Sequence, residues 1–286
     1  MPGAALRIAV RPRGFVGVRG PDATSFLQNL VSNDVEALLP GDSCEALLLT
    51  AKGRVIAPMT VWRRGGEDYL LLTEPEVAGR LRDVLVRRRF AARVDVVEES
   101  HVSTLVLGQE APPGAVANRD YGIAAYELVD NGAPDRAEVG EEELERLRIR
   151  ARTPRFGREV DDRVLPAEAG LDERAISFTK GCYPGQEPIA RQHYRGRVNR
   201  SLRVLELEGE ELPGYDSELV HEGKVVGRVT SAAPDPERGV VALAYVRVEV
   251  PGDAELDLGG RTARPLDSGV GQVGSSRGSS RLAEDP

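Results

Sequence analysis

Through the first hundred residues the chain switches between two hydrophobic periods. Phe15-Val16-Gly17-Val18 is a short apolar run and reads as a strand. Gly20-Pro21-Asp22 turns the chain, and Asp22 is expected to cap a helix running to about Val31, with Phe26, Leu27 and Leu30 on its inner face. Beyond the break at Pro40-Gly41-Asp42, residues 44–50, 55–63 and 69–73 read as strands joined by the hairpin-like segments 51–54 and 64–67. Thr73-Glu74-Pro75-Glu76 offers a capping box with an early proline. The helix it opens runs to about Arg89 and turns Val77, Leu81, Val84 and Leu85 inward. Residues 92–97 and 103–107 return to β structure. This order predicts an α+β fold, not a repeated βαβ winding.

Residues 108–135 read as loop, 140–150 as a charged helix, and 153–175 as irregular chain punctuated by Pro154, Gly157, Pro166 and Gly170. An irregular stretch this long inside a compact protein is often functional. From Ser201 the texture becomes short strands at 202–207, 218–220, 224–231, 240–246 and 255–258, which predicts a small antiparallel barrel. The expected organisation is therefore residues 1–199, a C-terminal barrel over 200–266, and a polar tail over 267–286 that lacks the apolar residues to fold.

The 38 basic and 46 acidic residues give a net charge of −8, which argues against wholesale nucleic-acid coating but leaves room for a local basic patch. The longest apolar runs are strand-sized, so no membrane span and no N-terminal leader are expected. Cys44 and Cys182 lack paired spacing, and His101, His193 and His221 lack zinc-type spacing. The expectation is a reduced, cytoplasmic protein without a resident metal. Neither a Walker sequence nor a dinucleotide-type glycine loop is present.

Candidate chemistry concentrates after residue 160. In Lys180-Gly181-Cys182-Tyr183-Pro184-Gly185-Gln186-Glu187 a cysteine sits between glycines and beside one of only three lysines. Glycines so placed let backbone approach a ligand, and neighbouring cations can hold a thiol partly as thiolate. From the residues alone Cys182 is a nucleophile, a ligand to a metal cluster shared with a partner, or an inert turn cysteine. Arg191, His193, Arg195 and Arg197 recur at every second position, with Arg200 and Arg203 following. In an extended conformation the first four share a face that is either simply solvated or meets phosphates or carboxylates. Glu168 sits among small and apolar residues, where a carboxylate needs N–H donors, or it is a helix-start glutamate.

Residues 176–191, Ile-Ser-Phe-Thr-Lys-Gly-Cys-Tyr-Pro-Gly-Gln-Glu-Pro-Ile-Ala-Arg, resemble the hallmark of the YgfZ-type folate-binding proteins, with Lys180, Gly181, Cys182, Tyr183, Gly185, Gln186 and Glu187 all matching. More widely, Phe26-Leu27-Gln28-Asn29-Leu30, Asn33-Asp34-Val35, residues 152–157 and residues 165–171 resemble the glycine-cleavage T-protein superfamily. The resemblance implies a ring of three subdomains: two interleaved α+β subdomains forming a folate-binding region over residues 1–199, and a barrel that completes the ring. It implies tetrahydrofolate or a one-carbon derivative, with Glu168 on the pterin and Arg191 beside it, and Cys182 with Lys180 as the functional pair. It also implies service to iron–sulfur enzymes or assembly proteins and, through them, to tRNA modification. Direct tRNA contact would use the basic stripe from Arg191 to Arg203.

One departure separates this chain from the transferase branch. Gly53-Arg54-Val55-Ile56-Ala57-Pro58 has Ala57 and Pro58 where aminomethyltransferases carry aspartate, and neither can transfer a proton. Trp62, the single tryptophan, also falls away from the positions at which relatives set tryptophan against folate. Three functions follow in order: a folate-dependent iron–sulfur maintenance factor using Cys182; a one-carbon transferase or demethylase in which Glu168 or Asp34 replaces the aspartate; and a scaffold stabilised by folate.

Overall fold

The computed structural model describes residues 7–108, 111–131 and 138–266. Strand β1 (Arg7–Val10) opens one sheet, and the chain at once leaves it to build another. The second sheet comprises β2 (Gly14–Arg19), β3 (Ser43–Leu49), β4 (Val55–Gly65), β5 (Asp68–Thr73) and β6 (Asp95–Glu99), ordered β3-β4-β5-β2-β6. The chain then returns with β7 (Ser103–Leu107), β8 (Val116–Asn118) and β9 (Ala125–Val129) to complete the first sheet, β1-β7-β9-β8. The two N-terminal units are thus interleaved. Strands β10 (Arg200–Leu207), β11 (Glu218–His221), β12 (Lys224–Asp235), β13 (Gly239–Arg247), β14 (Leu256–Leu258) and β15 (Arg261–Pro265) close a barrel in the order β10-β13-β12-β11-β14-β15.

The five-stranded sheet is buried on both faces. Helices α1 (Ala23–Gln28) and α2 (Pro75–Arg87) cover one face, and α2 buries Val77, Ala78, Leu81 and Leu85 as one stripe. Leu47, Leu49 and Val55 on the other face join Tyr183, Ile189 and the barrel residues Leu202, Val204 and Leu243 in a second core. Helix α3 (Glu141–Arg150) packs Leu144 and Leu147 on the four-stranded sheet and sends Ile149 into that second core. Between α3 and the barrel lie a single 3-10 turn (Pro166–Glu168), α4 (Asp172–Ala175) and α5 (Gln186–Arg195).

The structure differs from the sequence reading in several places. Asp22 does not cap α1 with its side chain; its carboxylate is taken by the Arg93 guanidinium and backbone N–H, and α1 ends at Gln28. Thr73 forms no capping box, because Glu74 occupies the cap position and the Thr73 hydroxyl donates to the Pro58 carbonyl at 2.6 Å. That carbonyl points past the end of the β5 ladder, so the N–H that Pro58 lacks costs no strand pairing there. The stretch read as loop holds β8 and β9, and Arg261–Pro265 adds a barrel strand. The largest correction concerns residues 191–197. Gln186–Arg195 is helical, so Arg191, His193, Arg195 and Arg197 form no alternating strand face. The expected tail, residues 267–286, lies outside the described residues.

Candidate functional site

The cysteine motif is fastened to the core at three points. Gly185 starts α5 in the left-handed region (φ 88°), and a Cβ there would lie 2.5 Å from the Thr50 carbonyl oxygen and 3.1 Å from the Gly53 Cα. Only glycine lets the motif settle on the β3–β4 turn. Tyr183 and Ile189 are buried on either side of this contact. Lys180, only 9% exposed, reaches back to the end of α1, where its Nζ donates to the carbonyls of Gln28 (2.7 Å), Val31 (2.8 Å) and Asn33 (2.8 Å). Three donors meet three acceptors, so the ammonium is fully engaged. Burial pushes Lys180 down to about 8, with Asp34 and Cys44 acting against the shift, and it stays mainly charged at neutral pH. Lys180 is therefore a clamp on the motif, not a free cation presented to the Cys182 thiol.

Cys182 itself is exposed, and a Cβ at Gly181 would meet no atom within 4 Å. The fixed frame around these two residues leaves the thiol open to a reagent or a partner. The other cysteine contrasts sharply: burial pushes the Cys44 thiol up to about 12, although Lys180 works the other way. Glu187 and Arg191 lie on the outer face of α5 as a 2.7 Å ion pair, and Arg191 is 72% exposed. Such a pair contributes little to stability, and the geometry does not bring Arg191 to the cavity described next.

A cavity of about 560 Å³ opens where the 3-10 turn, α5 and β10 meet. Arg152, Glu168, Gln192, His193, Arg197 and Leu202 are among its lining residues; Cys182 is not. Glu168 is 12% exposed. Its Oε2 accepts the Leu165 N–H at 3.1 Å and so closes the turn that carries it. Its Oε1 has one partner among the described residues, the Arg200 Nε at a long 3.4 Å. Arg200 is itself held over the Tyr245 ring, 4.4 Å from its centroid. The Tyr245 hydroxyl donates to the Glu159 carbonyl at 2.8 Å, so the support continues into the core. Carboxylates reach the cavity from residues 168–173, while Arg152, His193 and Arg197 bring basic groups from the end of α3 and from α5 with its exit. Such a volume suits a ligand of cofactor size that carries both N–H donors and an anionic group.

Several of these residues escaped the sequence reading. Gln192 belongs to no motif, and Arg152, although it opens the segment 152–157, was given no role of its own. His193 gains its position by stacking on Phe178, ring centroids 3.9 Å apart, a contact that exists only because both elements fold. The cavity is braced by charge pairs just as hard to foresee. Arg174 of α4 donates to Glu45 Oε1 at 2.6 Å and to Asp120 at 2.9 Å, and Arg11 joins Asp120 at 2.8 Å. Burial works against the Asp120 carboxylate, but the guanidinium groups of Arg11 and Arg174 prevail and hold it well below the usual range. Arg148 bridges Glu159 at 3.1 Å and Ser231 at 2.9 Å, locking α3 to the barrel. Trp62 packs against Phe15, Leu70, Leu72 and Val129, away from the cavity lining. Among the described residues no group of three or more His, Cys, Asp or Glu is placed to hold a metal ion, and no helix is long and apolar enough to cross a membrane.

The glycine cleavage system aminomethyltransferase T of Bartonella henselae superposes on this chain with a TM-score of 0.79, covering 92% of it and 85% of that structure at 19% identity. The chain has the aminomethyltransferase T fold. Sequence relatives agree with this T fold: an aminomethyltransferase of Rubrobacter xylanophilus is 27% identical over 290 residues, spanning 85% of this chain and 76% of that protein. An uncharacterized protein of Haemophilus influenzae is 25% identical over 226 residues, spanning 76% of this chain and 80% of that one. No family model matches the chain.

Proposed function

We propose that this protein binds a tetrahydrofolate in the cavity beside Glu168 and acts through the thiol of Cys182 in iron–sulfur cluster assembly or repair, affecting tRNA modification indirectly. The observation that carries the folate reading is the Glu168 carboxylate, nearly buried in the wall of a cofactor-sized cavity with Oε1 only weakly engaged. The T fold and the resemblance of residues 165–171 and 176–191 supply the ligand class. Glu168 would accept the adjacent N–H donors of a pterin, and Arg197 or Arg152 would meet its anionic tail. A bound tetrahydrofolate would offer N5 and N10 as one-carbon carriers. Lys180 and Gly185 fix the motif loop, and Cys182 remains open for chemistry or for a client protein.

The similarity to aminomethyltransferases favours a second reading, aminomethyl transfer. Ala57 is fully buried in the apolar core and Pro58 carries no ionisable group, so the proton-transfer role needs another carboxylate. Asp34 is engaged by Gln28 Nε2 at 3.1 Å and the Ala37 N–H at 3.3 Å, which suits it to a turn brace. Glu168 is the remaining candidate. Folate-dependent turnover of an aminomethyl donor by the purified protein, lost in Glu168→Gln, would establish this reading over the first.

The iron–sulfur role is tested in a deletion strain. Cys182→Ser is expected to leave iron–sulfur enzyme activity unrestored while the protein stays folded; full restoration removes Cys182 from the function. RNA contact, if made, uses a helix-end cluster of Arg191, Arg195 and Arg197, since Arg203 is turned to the Val250 and Pro251 carbonyls. Absence of RNA binding at low salt would end that proposal.

A further inference from the structure

His193 reaches the cavity from the last turn of α5 as an exposed ring held by other rings. Its imidazole lies on Phe178, with centroids 3.9 Å apart and planes 23° apart. Phe178 is half-buried and packs against the second core, so it backs the imidazole from a fixed place. Tyr194 stands edge-on to both, 4.9 Å from the His193 centroid at 86° and 6.3 Å from that of Phe178 at 70°. With these separations the line from His193 to Tyr194 makes about a right angle with the line from His193 to Phe178. Tyr194 is therefore beside the imidazole and not over its second face. Neither neighbouring ring covers that face, and it is the broad surface that His193 can turn to the cavity.

Neither imidazole nitrogen has a hydrogen-bond or ion-pair partner among the described residues, so stacking alone sets the ring. Just beyond, the Gly196 N–H returns to the Gln192 carbonyl at 2.9 Å, and a Cβ at Gly196 would lie 2.9 Å from the Gln192 Cα. This tight exit brings Gly196 and Arg197 into the same wall as His193. Arg152 and Arg197 already bring permanent charge to the lining for an anionic group. The feature that sets His193 apart in that wall is its flat, backed ring. Aromatic rings gain from offset stacking on one another beyond the area they bury.

We propose that His193 is the stacking platform of the cavity: a flat conjugated ring of the ligand lies on the imidazole face opposite Phe178, as the third layer of a stack. This rests on the folate reading of the cavity and adds a selecting residue to it. Glu168 discriminates by N–H donors and the arginines by charge, whereas His193 discriminates by flatness. In a tetrahydrofolate the flat parts are the aminobenzoyl ring and the pyrimidine half of the reduced pterin, and either offers the same stacking chemistry to the imidazole.

Anaerobic calorimetry with tetrahydrofolate on the full chain and three variants tests this. His193→Phe keeps a flat ring and discards the polar nitrogens, so it should bind within about twofold of wild type. His193→Ala should bind about tenfold more weakly, the size expected for a lost aromatic contact together with its buried area. Phe178→Leu keeps the apolar packing but removes the backing of the imidazole, and an intermediate loss is expected. His193 is exposed, so the thermal midpoints of its two unliganded variants should match wild type. Equal binding by wild type and His193→Ala overturns the platform. So does a His193→Phe as weak as His193→Ala, which would make the nitrogens the working atoms. A wild-type protein that binds no tetrahydrofolate overturns the folate reading and the platform together, whereas saturable binding indifferent to His193 overturns the platform alone. Dissociation constants of aminobenzoylglutamate and of a methyltetrahydropterin, taken from competition, assign the ring. The fragment that weakens in His193→Ala is the one stacked, and weakening of neither overturns the proposal.

Discussion

Replacing Lys180 with methionine separates a structural clamp from a thiol activator. The methionine stem fills nearly the same space, but the carbonyls of Gln28, Val31 and Asn33 lose their shared donor. A buried acceptor left unpaired costs about 1 kcal/mol or more, and removing a desolvated charge returns part of the loss, so the net expectation is about 3 kcal/mol. In a protein of this size about 1 kcal/mol moves the thermal midpoint by roughly 2–4 °C, which predicts a fall of about 6–12 °C. Lys180→Arg keeps the charge, but a planar fork cannot aim three N–H groups from one atom, so an intermediate loss is expected. The assay is thermal unfolding followed by circular dichroism, paired with the rate of iodoacetamide attack on Cys182. A midpoint within about 2 °C of wild type, together with a markedly slower alkylation, would refute the clamp and return Lys180 to the thiol.

Further expectations follow from other contacts. Gly185→Ala should lose about 2–4 kcal/mol in denaturant titration through strain and collision with Thr50, whereas Gly181→Ala should change little; equal effects would remove the docking argument. Limited alkylation of the native protein should label Cys182 and spare Cys44, whose thiol is pushed up to about 12 and buried; mass spectrometry showing comparable labelling would contradict this. Burial disfavours charge on His101, but its bonds to Glu99 (2.7 Å) and Asp130 (2.6 Å) prevail and raise its pKa above the ordinary 6.5. That stabilisation is fully present below the unfolded value and is lost as pH rises through the raised one. The midpoint difference between wild type and His101→Gln should therefore shrink as pH climbs from about 5.5 to 8.5; a constant or growing difference would refute the pairing.

The strands and helices around the five-stranded sheet were legible because their apolar periods are clean. Strand β9 was hidden because its inward position 127 is a glutamate, 2% exposed, which breaks the apolar alternation. Glu127 is tolerated there through Arg13 at 3.1 Å, Ser103 at 2.8 Å and Asn118 at 2.6 Å, of which Arg13 and Ser103 lie far away in sequence. The basic segment misled for the opposite reason. Helix α5 buries only Ile189 among mostly polar residues, and arginines two apart were read as a strand face although a helical period was present. The left-handed glycine at its start was the available signal. Glu168 was singled out from its apolar neighbours, and the structure puts it in the cavity wall. Cys182 and Glu168 were singled out for separate roles, and only Glu168 lines the cavity, because Lys180 and Gly185 draw the motif loop toward α1 and the β3–β4 turn.

Anaerobic calorimetry with tetrahydrofolate on the wild-type protein and on Glu168→Gln tests the account most directly. Glutamine keeps an acceptor for the Leu165 N–H but loses the charge that would meet the pterin. The account predicts saturable binding at one site, weakened by about tenfold or more in the variant, with the thermal midpoint of the unliganded protein unchanged. No binding by the wild-type protein, or equal binding by both, would contradict it.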